Sequence, residues 1–256
     1  MEELYKLAKP EEAEGFRVVS TETDEEPAPP VERHPDIIAR NVALGFGWLI
    51  VLMAATSYTI MKVILGEWFA TYSTIALVFF FDMRVILGTW IIMVILSLVL
   101  YFGSNLHGAI KWALLTLFGI ISGGFMGPVT AIAALLGVNF NLALAITGAV
   151  FVVPVLIGWM TKRDLTDWLP WIAGLLLIGL AASVINVFYT ASWYTVLAAL
   201  LVILIFVPII IYDINLIKNQ FADNEWQAGV VDLFLDFLNV LLRIIILLIE
   251  IAGAGK

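Results

Sequence analysis

The chain has 256 residues, of which 62% are hydrophobic and 13% charged, and its mean hydropathy is +1.03. A soluble domain of this length has no core large enough for so much apolar sequence, so the composition predicts a polytopic helical membrane protein. There is no cysteine, which excludes disulfides, thiolate metal sites and cysteine nucleophiles, and the net charge of −8 carries no nucleic-acid signal.

Residues 1–36 hold most of that charge, in Glu-Glu-Ala-Glu and then Thr-Glu-Thr-Asp-Glu-Glu-Pro-Ala-Pro-Pro. They bury too little apolar surface to offset ordering entropy and read as a disordered tail, either simply solvated or a docking handle. The tail lacks the basic start and short apolar run of a signal peptide. Residues 37–256 form the membrane domain.

Windows of about 20 apolar residues predict seven spans. They lie at 42–65, 85–102, 109–136, 142–160, 168–189, 194–216 and 230–251. Residues 68–82, rich in aromatics and Ser/Thr, are too short to cross alone and read as an interfacial segment or a lead-in to the second span. The link 137–141 is short, so spans three and four form a hairpin. Nine Trp and seven Tyr suit interfacial belts. His34 and His107 fall outside the spans, so no histidine metal cluster is available.

Arg33, Arg40, Lys111, Lys162, Arg163 and Lys218 lie at one set of span ends, against Lys62 and Arg84 at the other. That bias places the N-terminus in the cytoplasm and the C-terminus on the far side. In span three Gly119, Gly123 and Gly127 are spaced four apart, a ridge of small residues that permits close helix packing. Pro128 follows and removes a backbone donor, as do Pro154 and Pro208 in later spans. These prolines read as packing features or as mobile bends that gate a path.

The informative residues are aspartates inside apolar sequence. Asp213 stands in Ile-Ile-Ile-Tyr-Asp-Ile-Asn-Leu-Ile-Lys, and Asp232 and Asp236 in Asp-Leu-Phe-Leu-Asp-Phe-Leu-Asn-Val-Leu-Leu-Arg. An ionisable group within a span costs a few kcal/mol and is a functional-site hypothesis by default. With helix ends near Lys218 and Gly229, Asp213 is about 7.5 Å and Asp236 about 10 Å inside its helix. The short link 219–228 makes the two helices antiparallel neighbours, so the carboxyls meet at similar depth. Two carboxylates in a low dielectric cannot both stay charged cheaply, so the pair shares a proton and responds to pH.

Asp232, Asp236, Asn239 and Arg243 follow one helix face as a polar stripe that must face protein or water. Asp213 and Asn215 are expected to supply the opposite wall. Ser183, Asn186, Thr147, Ser122 and Thr130 are further interior candidates, each weak because Ser and Thr often bond their own helix. A purely structural network, with Arg243 neutralising a carboxylate, is the alternative to a proton- or cation-handling site. Carboxylate oxygens suit Ca²⁺, so Asp213 and Asp236 are also candidate calcium ligands, with protons competing.

From 109 to 248 the sequence resembles the Bax-inhibitor family, also called the transmembrane Bax inhibitor motif family. The pieces are Ile-Ser-Gly-Gly-Phe-Met-Gly-Pro, Met-Thr-Lys-Arg-Asp-Leu, Ile-Asn-Val-Phe, Ile-Tyr-Asp-Ile-Asn-Leu-Ile-Lys and the Asp232–Arg243 run. The resemblance implies a seven-helix bundle with a buried C-terminal helix. It also implies a pH-sensitive Ca²⁺ leak governed by an aspartate pair, which falls on Asp213 and Asp236. The bacterial relatives carry an acidic residue in span two and an arginine at its end that support the pair. Residues 85–102 have no acidic residue, and the end of the span reads Tyr-Phe-Gly-Ser-Asn-Leu-His, so that latch is missing here.

The expected function is a non-enzymatic, pH-sensitive calcium leak. No cofactor is required, with Ca²⁺ as the permeant or bound ion. Its expected partners are the lipid bilayer, protons, Ca²⁺ and a membrane-protein partner. The absence of a lysine-rich C-terminal tail favours a prokaryotic plasma membrane over an endomembrane. One alternative is a non-conducting regulator of another membrane complex, linked to cell death or membrane proteolysis, with the tail as handle. An intramembrane aspartyl protease is another, but Leu233-Phe234-Leu235-Asp236 replaces the glycine-rich run that such an enzyme needs. A proton-coupled transporter would need an inverted repeat, and none is visible.

Overall fold

The computed structural model describes residues 33–67, 70–189 and 191–254. Among them the chain is helical: α1 Pro35–Ile64, α2 Ala70–Phe81, α3 Met83–Phe102, α4 Gly108–Leu135, α5 Phe140–Met160, α6 Leu169–Phe188, α7 Ser192–Asn219 and α8 Trp226–Ala254. A 3₁₀ turn, Thr166–Trp168, leads into α6.

Local chemistry fixes several starts. Asp82 and Asn139 accept backbone N–H bonds at the heads of α3 and α5, and His107 does so at α4. Pro35 opens α1, where its missing N–H costs nothing. Gly137 takes a left-handed backbone (φ 87°) that turns α4 tightly into α5.

Among the described residues there are eight helices, against seven predicted spans. The added element is α2, 12 residues long, within the aromatic segment 68–82; it is a separate helix, because Asp82 is extended and starts α3 afresh. α1 begins at Pro35, seven residues before the predicted span, so 33–36 belong to the helical domain and not to the tail. The remainder of the predicted tail, and residues 68–69, lie outside the described residues.

Six helical segments are long and apolar enough to cross a membrane: α1, α3, α4, α5, α6 with its leading turn, and α7. By length and composition this is the make-up of a multi-pass helical bundle. α8 is interrupted by Asp232, Asp236, Arg243 and Glu250, yet it is the centre of the bundle. It packs against α1, α3, α4, α5 and α7. Phe234, Val240, Leu241 and Ile245 are shut away from the surface. A helix apolar all round but for one stripe is what a central position requires.

α1 and α4 form the broadest seam. A Cβ on Gly119 would sit 3.1 Å from Leu49 and Leu52, one on Gly123 2.5 Å from Thr56, and one on Gly127 2.4 Å from Ile60. The predicted small-residue ridge therefore faces α1. Ser57 and Thr130 hydrogen-bond across the same seam at 3.0 Å, buried. α4, α5 and α7 continue as helices through Pro128, Pro154 and Pro208.

Hydrogen bonds gather the start of α1, the end of α5, the end of α7 and both links flanking α4 and α8 at one end of the bundle, the near end. Arg33 Nη1 donates to Asn219 O (2.9 Å), and Lys218 Nζ to Trp159 O and Thr161 O (3.0 Å each). Buried Lys111 Nζ donates to Ser104 O (2.7 Å) and Asn224 O (2.5 Å), tying the α3–α4 and α7–α8 links together. These belong to the cationic ends predicted to share one side.

Gly123→Ala places a methyl group against Thr56 and the Met53 carbonyl, and overpacking of this kind costs about 1–3 kcal/mol. Gly124 has nothing within 4 Å of its Cβ position, so Gly124→Ala costs less than about 0.5 kcal/mol. Thermal unfolding of the two variants in detergent distinguishes them.

Candidate functional site

α7 and α8 run antiparallel, joined by residues 220–225, and carry the intramembrane acids. Asp213 lies six residues inside the end of α7 and Asp236 ten residues inside the start of α8. At 1.5 Å per residue that is about 9 and 15 Å, deeper than the predicted helix ends gave. The α8 start reaches Trp226, whose ring packs at a tilt against Trp112 of α4 (5.2 Å between ring centres).

The carboxyl groups of Asp213 and Asp236 lie close enough to interact with each other. Asp236 is buried, and its Oδ2 has no donor among the described residues. No lysine or arginine forms an ion pair with either among the described residues. Two carboxylates offer only acceptors, so a bond between them requires a proton. Asp232, half-buried one turn toward the near end, lies within electrostatic range of both. Tyr101 of α3 lies within range of Asp213 and Asp232. Its ring lines a small cavity of about 80 Å³ with Phe221, Glu225 and Ala228.

The rest of the predicted stripe does not gather there. Asn215 lies about 200° round α7 from Asp213 and so faces away from the pair. It is buried against the α5–α6 link, where Oδ1 accepts from Leu165 N (2.9 Å) and Nδ2 donates to Arg163 O (2.9 Å). Asn239 is exposed and donates to its own helix at Leu235 O (2.9 Å). Arg243 pairs with no carboxylate among the described residues; its guanidinium reaches Ser183 Oγ on α6 at 2.6 Å. The long side chain reaches a neighbouring helix in preference to a carboxylate two turns away on its own helix.

Ser122, Thr130, Thr147 and Ser183 each donate to their own helix carbonyls. Asn186 accepts from Thr195 Oγ1 (3.0 Å). Among the described residues no group of three or more His, Asp or Glu could hold a metal ion. Asp213 and Asp236 alone fall well short of the six to eight oxygens Ca²⁺ takes, so they do not fit a resident calcium site.

Three features escaped the sequence reading. Lys111 counted there only for orientation, yet it is the buried tie described above. Gln227, fully buried in the first turn of α8, has no side-chain hydrogen-bond partner among the described residues. A polar residue at a helix start gives no signal of burial. Third, Asp223 in the α7–α8 link accepts from the His34 backbone N–H (2.6 Å) and pairs with His34 Nδ1 (2.6 Å). The His34 N–H, then its ring, hold the Asp223 carboxyl below the ordinary carboxylate range.

The fold and site thus define a multi-pass helical membrane protein with a buried carboxyl pair between its last two helices. The sequence profile of the family described as Inhibitor of apoptosis-promoting Bax1 matches residues 37–253. The chain belongs to that family, the Bax inhibitor family, which is not a known enzyme family. No curated protein matches the chain.

Asn215→Ala strands the Leu165 N–H and the Arg163 carbonyl and lowers stability by about 1–3 kcal/mol, whereas Asn239→Ala stays within about 0.5 kcal/mol; thermal unfolding reads both. A carboxylate with a depressed pKa contributes stability above its ordinary pKa and loses it as pH falls through the depressed value. Asp223→Asn therefore lowers the unfolding midpoint at pH 7 and flattens its further fall below about pH 4.

Proposed function

We propose that this protein is a pH-sensitive, non-enzymatic calcium leak of its membrane, controlled by the proton that Asp213 and Asp236 share. The observation that carries this reading is the meeting of two carboxyls with no cation between them. With one proton the pair is a hydrogen bond that holds α7 against α8. With none it is two like charges in a low dielectric, which push the helices apart. A charge change of this kind biases a bistable packing. Ca²⁺ is cargo here, drawn by the carboxylates in passing and not held as a resident ion. α8 is the seventh span, packed against five helices. The N-terminus lies on the cytoplasmic side, and a prokaryotic plasma membrane is the favoured location.

One observation favours the regulator reading as a second possibility. Arg33 and His34, where the acidic tail joins the bundle, are clamped to the end of α7 and to the α7–α8 link. A partner that pulled on the tail would act on the helices carrying the pair. Cell-death control, which the family description names, would then run through protein contacts.

Purified protein in liposomes loaded with a Ca²⁺ dye, scanned from pH 5 to 8, tests the leak. The parent shows flux that changes with pH, and Asp213→Asn with Asp236→Asn abolishes the change. A folded parent that passes no Ca²⁺ at any pH sinks the leak. A parent that conducts and is disabled by removal of residues 1–32 supports regulation through the tail.

A further inference from the structure

Between α1 and α5 lies an apolar groove of about 410 Å³. Every side chain that lines it is apolar. Its inner end is closed by Phe46 stacked on Phe151 (5.4 Å between centres, 13° between planes). Its back wall is Ile214 and Ile217 of α7 and Leu233 of α8. Its outer end is Trp159, eight residues from Phe151 along α5, or about 12 Å.

The outer end is cationic. Lys218 Nζ sits on the carbonyls of Trp159 and Thr161, so an ammonium stands at the rim. Lys162 and Arg163 follow directly at the end of α5, and Arg40 flanks the groove residues of α1; all three are exposed. None of these three forms an ion pair among the described residues. The nearby acids are mostly engaged. Asp164 accepts from Thr166 and Gln220, and Asp223 pairs with His34. Among the described residues, Asp36 in the first turn of α1 and Asp167 in the turn before α6 are exposed carboxylates that still oppose an anion there.

We infer that the groove binds one anionic phospholipid of the surrounding leaflet. An acyl chain lies between α1 and α5, and the phosphate sits on Arg40, Lys162 and Arg163. Charge complementarity selects this occupant. A bilayer supplies acyl chains to any apolar cleft that opens to it, but basic side chains at the mouth select an anionic headgroup, and each is worth about fivefold in affinity. The site is independent of the shared proton, although Ile214 and Leu233 adjoin Asp213 and Asp232 in sequence.

Native mass spectrometry of the full chain, titrated with phosphatidylglycerol or phosphatidylcholine of the same acyl chains, tests the inference. The parent retains phosphatidylglycerol at least about fivefold more tightly. Arg40→Gln with Lys162→Gln and Arg163→Gln brings the two lipids to parity. Ala43→Trp, which fills the groove from an exposed face of α1, loses the tightly held lipid while the cations remain. Equal retention of the two lipids by the parent overturns the inference. So does a preference that survives the triple substitution, or a folded Ala43→Trp protein that keeps its lipid.

Discussion

Two carboxyl groups meet where α7 passes α8, and among the described residues no lysine or arginine pairs with either. An uncompensated charge at that depth costs several kcal/mol. A proton held between the oxygens removes one charge and supplies a hydrogen bond. The surrounding architecture makes the encounter unavoidable. α8 is enclosed by five neighbours, so its aspartates cannot turn to lipid. α5 presses on α7 at Gly158, where a Cβ would stand 2.7 Å from the Ile211 carbonyl, so α7 has little room to retreat.

The near end of the bundle is tied by polar contacts that the apolar sequence would not suggest. Lys111 joins two links, Lys218 ties the end of α7 to the end of α5, and the His34–Asp223 pair fixes the head of α1 to the α7–α8 link. These bonds set the register of α7 and α8 at the end nearest the pair. Arg243 is tied elsewhere, to Ser183 on α6. The pair is therefore bounded by hydrogen-bonded backbone on one side and by apolar packing on the other. On the proposed reading this leaves protonation as the variable that the rest of the fold does not fix.

The meeting of Asp213 and Asp236 was legible because it needs only two facts: a short link and similar depth. The estimate fell short by one residue at the end of α7 and by three at the start of α8, so the two depths differ by about 6 Å, more than expected. The glycine ridge was legible for a similar reason, since spacing by four fixes a face whatever the boundaries are. Asn215 was misplaced because nearness in sequence was taken for a shared face, when two residues on a helix point nearly opposite ways. Arg243 was misread because its reach depends on which neighbour α6 presents, and that is tertiary information. α2 was not seen as a helix of its own because a short segment of aromatic, aliphatic and Ser/Thr residues looks alike in a lead-in and in a short helix.

The central claim is that one proton is held between two buried carboxyls. Infrared difference spectroscopy of the membrane-reconstituted protein at pH 7 reads this directly, through the carbonyl stretch of a protonated carboxyl group. The account predicts a protonated-carboxyl band in the parent that shifts or disappears when Asp213 or Asp236 is replaced by asparagine. A parent with no such band, or with a band indifferent to both substitutions, would contradict it.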